Sequence, residues 1–374
     1  MASGPLRITH LVENLERGGL ERVVIDLALA QAGAGHEVQV VCLYEEGLLA
    51  QELVAAGVPV SACHKRGGPD ARALRCIRSR LRAQRTQVLH THNPAPHYYG
   101  ALACLLSASV TLVNTRHGMG NAPFTLRREI LYRLSLARTK AVALVCRRAR
   151  DNFVRHAIVP SRKGAVVPNG IRVGRFAPWS EQARLRVLAG LGLDPAGFHV
   201  GIVGRLNPVK DHAMLLRAMV PLRAALPGAT LVVIGGGALQ ASLEALAGSL
   251  GIAAAVRFLG DRDDVAALLP GLDAFALSST TEGYSISLLE ASACALPIVA
   301  TDVGGNAEIV AGGETGLLVA SGDSAAMGRA LVDLGRDPAR RRRMGEAARA
   351  WVCSEGTIEA MAGRYAALYG RGAA

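Results

Sequence analysis

Alternating strands and helices, in two separate runs, constrain the fold of this 374-residue chain most strongly. The predicted strands of the first run are Leu6–Val12, Glu37–Tyr44, Val58–Ala62, Gln87–His90, Thr111–Asn114 and Ala141–Cys146. Those of the second run are Val200–Val203, Thr230–Ile234, Val256–Leu259, Ala274–Leu277 and Ile298–Ala300. Because strands separated by helices pair in parallel, we predict two Rossmann-like α/β domains facing across a cleft, with ligands at the carboxyl ends of the strands.

A turn-rich segment, residues 167–178, separates the two runs and is the best candidate for a linker. The last stretch of about 50 residues shows helical periodicity and no strand pattern. These features predict one domain at residues 1–172, a second at residues 173–355 and a C-terminal helix at residues 356–374.

The positive charge is concentrated in the first half of the chain. Residues 1–175 contain 25 Lys and Arg against 11 Asp and Glu, and the whole chain has a net charge of +12. Two segments carry much of this charge, one with Arg72, Arg75, Arg78, Arg80, Arg82 and Arg85 and one with Arg127, Arg128, Arg133, Arg138 and Lys140. They predict either ordinary solvated helix faces or attraction to an anionic membrane surface or a phosphorylated acceptor. Nucleic acid is disfavoured, because aromatic residues for base stacking make up only 4% of the chain.

Targeting and covalent features point to a cytoplasmic protein, with peripheral attachment to the inner face of the plasma membrane as a further expectation. The first residues leave no room for an apolar signal core, and no stretch reaches the ~18 apolar residues that cross a bilayer. Seven cysteines without a C-x-x-C pair indicate neither a disulfide framework nor a zinc site.

Glycines and cations follow the first strand of each run. Gly18 and Gly19 precede a predicted helix, where close backbone approach and free N–H groups favour anions. A tight turn that needs positive φ would equally select this glycine pair. After the strand that ends at Val203, Arg205 and Lys210 flank the next helix. These two cations are suited to stabilise a departing nucleoside diphosphate, although a surface salt bridge is the alternative for either one alone.

Two carboxylates, Glu282 and Glu290, lie eight residues apart after the strand Ala274–Leu277. If a helix begins near Ser285, its N–H groups and dipole can face a diphosphate. Glu290, over a turn inside that helix, is then placed to accept hydrogen bonds from a ribose diol. The alternative makes Glu282 a helix-start charge and Glu290 a member of a buried ion pair. Acidic residues in a leucine-rich stretch are costly without partners, which favours the ligand role.

In their order along the chain, these motifs resemble the retaining GT-B glycosyltransferases of family 4, also called glycosyl transferases group 1. The resemblance covers nearly the whole chain and rests on Gly18-Gly19-Leu20-Glu21, Pro168-Asn169-Gly170, Gly204-Arg205 with Lys210, Gly235-Gly236-Gly237, Phe258-Leu259-Gly260, Glu282 with Glu290, and Gly304-Gly305 with Glu308. It implies a GT-B fold with an acceptor-side N-terminal domain, a second domain that binds the nucleotide sugar, and a C-terminal helix that returns to the first domain.

The resemblance also implies roles for individual residues. The implied catalytic residues are His117, Arg205, Lys210 and Glu282. The implied donor-binding residues are Gly18, Gly19, Arg205, Lys210, Phe258, Glu282, Gly283, Tyr284, Ser285, Ile286 and Glu290. Among them the two cations hold the phosphates, Glu290 holds the ribose, and Glu282 with the following amides holds the sugar. His117 lies near sugar and acceptor, unless it merely caps the end of its strand.

The implied reaction is transfer of a sugar from a UDP- or GDP-sugar to a hydroxyl group of a glycan or lipid-linked acceptor, with retention of configuration. It needs no metal and no cofactor, and a role in cell-surface polysaccharide or glycolipid synthesis is expected. Ser285, Arg172 and Ala307 depart from the common family pattern and leave the donor sugar open. A nucleotide-sugar epimerase and a non-catalytic sugar-nucleotide-binding subunit are the alternative functions.

Two further motifs resemble metal sites. Asp261-Arg262-Asp263 has the form of a D-x-D motif, but it precedes a predicted helix, and a capping role is favoured. His90, His92 and His97 are close in sequence, but no carboxylate or cysteine completes a ligand set. We therefore expect neither motif to bind a metal.

Overall fold

Two compact units make up the chain in a computed structural model that describes residues 4–105, 107, 109–120 and 126–370, with the backbone alone at 126–128. Unit 1 comprises the residues up to Ile171 and those from Ile358 onwards, and unit 2 comprises Arg172–Thr357. The first crossing between the units lies inside the turn-rich segment 167–178. The second lies two residues beyond the boundary expected from the sequence.

Unit 1 is built on a parallel sheet of seven strands in the order β3-β2-β1-β4-β5-β6-β7. Its strands are β1 (Arg7–Val12), β2 (Glu37–Cys42), β3 (Val60–Ala62), β4 (Val88–His92), β5 (Thr111–Arg116), β6 (Ala141–Leu144) and β7 (Gly164–Val166). The direction of strand succession reverses between β1 and β4, the position where open α/β sheets leave a crevice at the carboxyl ends of their strands.

Helices flank this sheet, and the last of them comes from the far end of the chain. They are α1 (Gly19–Gly33), α2 (Ala50–Ala55), α3 (Ala71–Ala83), α4 (Pro94–Ala103), α5 (Leu126–Ser135), α6 (Arg147–Arg155) and α15 (Ile358–Gly370). Helix α15 packs on α1 and β5, and the Ile358 N–H donates to the Ile171 carbonyl over 2.8 Å. The expected return of the C-terminal helix is confirmed, while residues 371–374 lie outside the described chain.

Unit 2 contains a parallel sheet of six strands in the order β10-β9-β8-β11-β12-β13. Its strands are β8 (His199–Val203), β9 (Thr230–Ile234), β10 (Val256–Phe258), β11 (Ala274–Leu277), β12 (Ile298–Thr301) and β13 (Gly316–Val319). Here the order reverses between β8 and β11, which places the loops after these two strands side by side. These two strands carry the cation and carboxylate motifs singled out in the sequence.

The helices of unit 2 accompany its sheet, and several of them contribute to one apolar core. They are α7 (Glu181–Leu191), α8 (His212–Ala225), α9 (Gln240–Ser249), α10 (Val265–Leu268), α11 (Ile286–Ala293), α12 (Asn306–Ile309), α13 (Ser324–Arg336) and α14 (Pro338–Glu355). Val200, Leu215 and Leu331 are among the fully buried members of this core. As predicted, the described chain beyond residue 324 is helical, apart from two short breaks.

The fold class is confirmed, since each unit is a Rossmann-like parallel sheet with helices on its faces. The structure differs from the prediction at several strand ends and in the number of strands. β4 and β5 each run two residues further than expected, so that His92 and Arg116 lie inside the sheet. The short strands β7 and β13 were not predicted at all. Within the described residues, no helix combines the length and apolar character needed to span a bilayer.

Candidate functional site

The loops after β8 and β11 bring Lys210 and Glu282 into direct contact. The Lys210 Nζ lies 2.6 Å from Glu282 Oε1, and the Ser279 hydroxyl donates to the same oxygen over 2.6 Å. The two charged side chains retain 20% and 12% of their exposure, respectively. An ammonium group has three donors, so the pairing leaves Lys210 able to bind a further anion. The structure thus joins two of the predicted catalytic residues at the point where the strand order reverses.

Hydrogen bonds to the backbone also hold the loops after β8 and β11 together. Lys210 ends a short 3-10 turn, Pro208–Lys210, whose N-cap Asn207 accepts a hydrogen bond from the Lys210 N–H over 3.2 Å. The Ser278 hydroxyl donates to the Lys210 carbonyl over 2.9 Å, and the Thr280 N–H donates to the Val209 carbonyl over 2.8 Å. The backbone that carries Lys210 is therefore held by the residues that follow β11.

The loop after β12 packs against the backbone of Glu282 through Gly304. This glycine has a φ of +54°, and a Cβ placed on it would lie 1.7 Å from the Glu282 carbonyl oxygen. The Gly305 N–H donates to the Gly283 carbonyl over 2.9 Å, and the Thr301 hydroxyl donates to the Ser279 carbonyl over 2.6 Å. The Gly304-Gly305 motif is thus explained by close contact with the backbone of the loop that carries Glu282.

A second close contact between glycines joins the loop after β9 to the loop after β8. Gly235, at the end of β9, has a φ of +135°, and a Cβ there would lie 2.2 Å from the Gly204 carbonyl oxygen. The Asp261 carboxylate accepts a hydrogen bond from the Gly236 N–H over 2.8 Å. Helix α10 begins without a side-chain cap at Asp264. Asp261 of the acidic triplet therefore holds the glycine loop and does not cap the helix.

Helix α11 begins after Ser285, as the sequence predicted, with no side-chain cap bonded to its first turn. Its N–H groups therefore remain suited to an anion. Tyr284 is buried, and Glu290, the fifth residue of the helix, is partly exposed. Glu282 lies three residues before the cap and pairs with Lys210.

The remaining predicted donor residues of unit 2 differ in their surroundings. Arg205 is exposed, and its guanidinium group makes no hydrogen bond or ion pair with any residue that the structure describes. Phe258, at the end of β10, is partly buried and packs against the apolar core. The structure thus leaves one free guanidinium on the loop after β8 and gives Phe258 a packing contact.

In unit 1 the predicted glycine pair begins helix α1. Gly18 is its N-cap residue, with extended φ and ψ of −176° and 164°, and neither Gly18 nor Gly19 has a positive φ. The alternative that a tight turn selects these glycines is therefore wrong. A Cβ on Gly18 would lie 2.2 Å from the Glu21 carboxylate, which is the end of a flexible side chain.

His117 directly follows β5 and is held by a strained residue on the neighbouring loop. Its N–H donates to the Asn93 side-chain oxygen over 3.2 Å, and the Asn93 N–H donates to the Thr115 carbonyl over 2.8 Å. Asn93 has a φ of +63°, which a non-glycine residue rarely adopts and which occurs often at functional sites. Burial lowers the pKa of His117 to about 3, so the imidazole is neutral at pH 7.

A cluster of buried histidines next to His117 was missed in the sequence. His10, His90 and His92 are completely buried, and His10 of β1 lies directly opposite His90 of β4. His97, which the sequence suggested as their companion, instead bonds to Thr91 and Thr139 at 2.9 and 3.1 Å. The sequence signal for such a cluster is the presence of polar residues in strands that are buried on both faces. Which of these residues lie together depends on which strands pair.

Comparison with protein families gives two matches that together cover most of the chain. The model described as Glycosyltransferase Family 4 matches residues 17–175, and the model described as Glycosyl transferases group 1 matches residues 190–351. The two matched regions correspond to the two structural units.

Individual relatives match over part of their length. A GDP-mannose-dependent alpha-(1-6)-phosphatidylinositol monomannoside mannosyltransferase of Mycolicibacterium smegmatis is 38% identical over 56% of this chain and 57% of its own. A D-inositol 3-phosphate glycosyltransferase of Rhodococcus opacus is 34% identical over 62% of this chain and 55% of its own. The matches thus span little more than half of each relative.

Among solved structures, that of Alr3699/HepE of Anabaena in complex with UDP is similar over its whole length. It aligns with a TM-score of 0.86 and covers 96% of this chain and 98% of its own, at 21% sequence identity. At this identity the likeness supports the fold alone.

Proposed function

The chain belongs to the GT-B glycosyltransferases of family 4, and on this premise we propose that it transfers a sugar from a nucleoside-diphosphate sugar to a hydroxyl group of a glycan or lipid-linked acceptor. The transfer retains the anomeric configuration and needs no metal. The observation that carries the proposal is the Lys210–Glu282 contact at the carboxyl edge of the unit 2 sheet, beside the uncapped start of α11. This is the edge where α/β sheets bind nucleotides.

Electrostatics supports a diphosphate leaving group at this position. Arg205 and Lys210 follow β8, and the start of α11 adds oriented N–H groups and the positive end of a helix dipole. Such fixed charges stabilise negative charge that develops as the bond to the sugar breaks. Glu282 accepts hydrogen bonds from Lys210 and Ser279, which orient its carboxyl group so that it is suited to hold sugar hydroxyl groups. We therefore assign it a positioning role toward the sugar and no covalent step.

The donor screen that tests this function starts from the donors named for similar proteins. GDP-mannose comes first, because the Mycolicibacterium relative is GDP-mannose-dependent, and UDP-sugars follow, because Alr3699/HepE was solved with UDP. Full-length protein with each donor should release a nucleoside diphosphate, at a rate that rises when hydroxylated acceptors such as inositol phosphates or lipid-linked glycans are added. The product anomer, read by NMR, should match the α-configuration of the donor.

Other outcomes of the screen would contradict the proposal. Interconversion of UDP-sugars without release of diphosphate would identify an epimerase. Donor binding without turnover, across the full panel of donors and acceptors, would identify a non-catalytic subunit. Activity abolished by a chelator and restored by a divalent cation would overturn the metal-independent reaction.

We also propose that unit 1 binds an anionic membrane surface from which it takes a lipid-linked acceptor. Helix α5 exposes Ile130, Leu131 and Leu134 at 49%, 58% and 66%, together with the exposed Arg133. Helix α3 exposes Arg72, Arg75, Arg80 and Arg82. Apolar side chains that enter the acyl boundary and cations that face anionic headgroups are the two contributions that hold peripheral proteins. The side chains of Arg127 and Arg128 lie outside the described residues.

Vesicle sedimentation provides the test of this surface. The protein should sediment with vesicles of phosphatidylcholine and phosphatidylglycerol, hardly with phosphatidylcholine alone, and less at 0.5 M salt, because surface charges are screened. Replacing Leu131 and Leu134 with serine should weaken binding about tenfold, since each leucine contributes apolar burial. Leu185→Ser, at a residue 43% exposed on α7 of unit 2, is the matched control and should bind as wild type. Equal binding to neutral and anionic vesicles would contradict the proposal.

A further inference from the structure

Buried side chains form a continuous series of hydrogen bonds from Gln31 to His117 in unit 1. His10 Nε2 lies 2.7 Å from Gln31 Oε1, and His10 Nδ1 lies 3.0 Å from His92 Nε2. His92 Nδ1 in turn lies 3.0 Å from His117 Nε2. Gln31, His10 and His92 have between 0% and 3% of their surface exposed, so water does not compete for these atoms.

The direction of every bond in this series follows from the Gln31 amide. Its Oε1 can only accept, so His10 must carry its proton on Nε2. A neutral imidazole has one N–H, which makes His10 Nδ1 an acceptor and requires His92 to donate from Nε2. By the same step, His92 Nδ1 accepts from His117 Nε2. The remaining nitrogen of His117, Nδ1, therefore carries a lone pair.

A second branch of hydrogen bonds starts from the nitrogen of the Gln31 amide. Its Nε2 donates to the Tyr369 hydroxyl over 3.1 Å, and that hydroxyl lies 2.8 Å from His90 Nδ1. His90 Nε2 lies 2.7 Å from the Thr115 hydroxyl. The amide thus accepts from one histidine series and donates toward the other, so reversing it would reverse all of these bonds together. Helix α15, which carries Tyr369, therefore contributes a hydrogen-bond partner to His90 of β4.

The histidines of the series are neutral, as this scheme requires. Burial lowers the pKa of His10 to about 4 and that of His117 to about 3, and it lowers the pKa of His92 well below its usual value. A second proton on His10 or His92 would place two donors face to face at a distance of 3.0 Å.

We propose that Gln31, His10 and His92 are positioning residues that hold His117 as the Nε2–H tautomer, so that Nδ1 accepts a hydrogen bond from a sugar or acceptor hydroxyl group. Nδ1 is buried and has no hydrogen-bond partner among the described residues. The hydroxyl partner rests on the proposed transferase function, whereas the tautomer does not. An Nδ1–H tautomer would repel a hydroxyl donor and could bind only an oxygen lone pair.

A metal site is the competing explanation for this cluster. His10, His90 and His92 each offer a ring nitrogen, and these atoms lie within 4.8 Å of one another. However, all six ring nitrogens of these residues already have protein partners at 2.7–3.0 Å. A bound ion would have to break several of these bonds in a region without solvent access, and the hydrogen-bonded series is favoured.

Imidazole ¹⁵N NMR of the full-length, histidine-labelled protein tests the tautomers without reference to activity. Long-range ¹H–¹⁵N correlations distinguish the nitrogen that carries the proton. His10, His90, His92 and His117 should all be Nε2–H tautomers at pH 7, with assignments from single His→Gln variants. An Nδ1–H tautomer at His117 would overturn the proposal, as would zinc that copurifies with the protein or shifts the signals of His10, His90 and His92 on addition.

Variants of Gln31 separate a positioning role from mere packing. Gln31→Met keeps the volume but removes both bonds, and His117 should change to a mixture of tautomers. Gln31→Glu retains an acceptor for His10, so His117 should remain Nε2–H. His97→Gln, at a buried histidine outside the series, is the control and should leave the His117 signals unchanged. An unchanged His117 spectrum in a folded Gln31→Met variant would contradict the series.

The same variants provide a separate readout in the transfer assay. The kcat should fall about tenfold in Gln31→Met and stay within about twofold of wild type in Gln31→Glu. If no donor is turned over by the wild type, the proposed function fails while the NMR result stands. If the tautomers are reversed while transfer occurs, the inference alone fails.

Discussion

Replacing Lys210 with methionine should lower kcat by a factor on the order of 10²–10³, the range found when one group that stabilises transition-state charge is removed. Methionine keeps most of the apolar stem and removes only the ammonium. The physical reason is that this ammonium lies at the switch point of the unit 2 sheet, beside the start of α11. Steady-state transfer or donor hydrolysis measures the effect.

Because Lys210 forms an ion pair with Glu282, its replacement can affect both stability and turnover, and the two effects must be measured separately. Lys210→Met leaves the Glu282 carboxylate, which is only 12% exposed, without its cation, so the free energy of unfolding should also fall. The double variant Lys210→Met, Glu282→Gln removes the unpaired charge and should regain stability but not turnover. Asp273→Asn breaks the Arg184 pair, with an Nε–Oδ1 distance of 3.0 Å, and should lower stability while donor affinity stays unchanged. Turnover restored in the double variant would show that Lys210 only neutralises Glu282.

Acid should unfold unit 1 well before it protonates surface carboxylates to any extent. Burial lowers the pKa values of His10 to about 4 and of His97 and His117 to about 3, and it lowers those of His90 and His92 well below the usual 6.5. Below pH 6.5 the unfolded chain binds protons that the folded unit excludes. The free energy of unfolding is therefore highest above pH 6.5 and falls as the pH drops, by up to about 1.4 kcal/mol per pH unit for each such histidine.

Hydrogen exchange followed by mass spectrometry measures this loss separately in each unit. Five histidines of unit 1 have lowered pKa values, compared with His199 and His212 in unit 2, so peptides of unit 1 should lose protection at the higher pH. His97→Gln should flatten the pH dependence by about one proton, whatever its effect on absolute stability. Equal loss of protection in both units between pH 6.5 and 5 would contradict this prediction.

Much of the fold was predictable because parallel sheets leave a strong periodic signal. The strands Thr230–Ile234 and Ala274–Leu277 were predicted with their observed ends, since apolar runs are bounded there by turns. The prediction ends β4 too early, at His90, because Thr91 and His92 are polar residues typical of loops. In the structure hydrogen bonds satisfy both side chains inside the sheet. β7 was missed because three residues carry no measurable period.

The candidate site was predictable only where its residues follow one another along the chain. The order of motifs located Lys210 and Glu282, but their direct pairing depends on β8 lying beside β11. The bond between Gln31 and Tyr369 joins residues 338 apart in sequence and has no local signal. Likewise, His10 lies beside His90 only because of the register in which β1 and β4 pair. Contacts of this kind follow from topology and not from composition.

The return of α15 to unit 1 has a consequence for the order of events during synthesis. Tyr365 and Tyr369 supply hydroxyl groups to Thr115, Gln31 and His90, so the polar interior of unit 1 is incomplete until residue 369 has left the ribosome. Unit 2, residues 172–357, has by then emerged in full. The usual sequence, in which the N-terminal domain folds first, is therefore reversed in its last step. During translation, Gln31, His90 and Thr115 of the first domain therefore lack these hydroxyl partners until helix α15 docks.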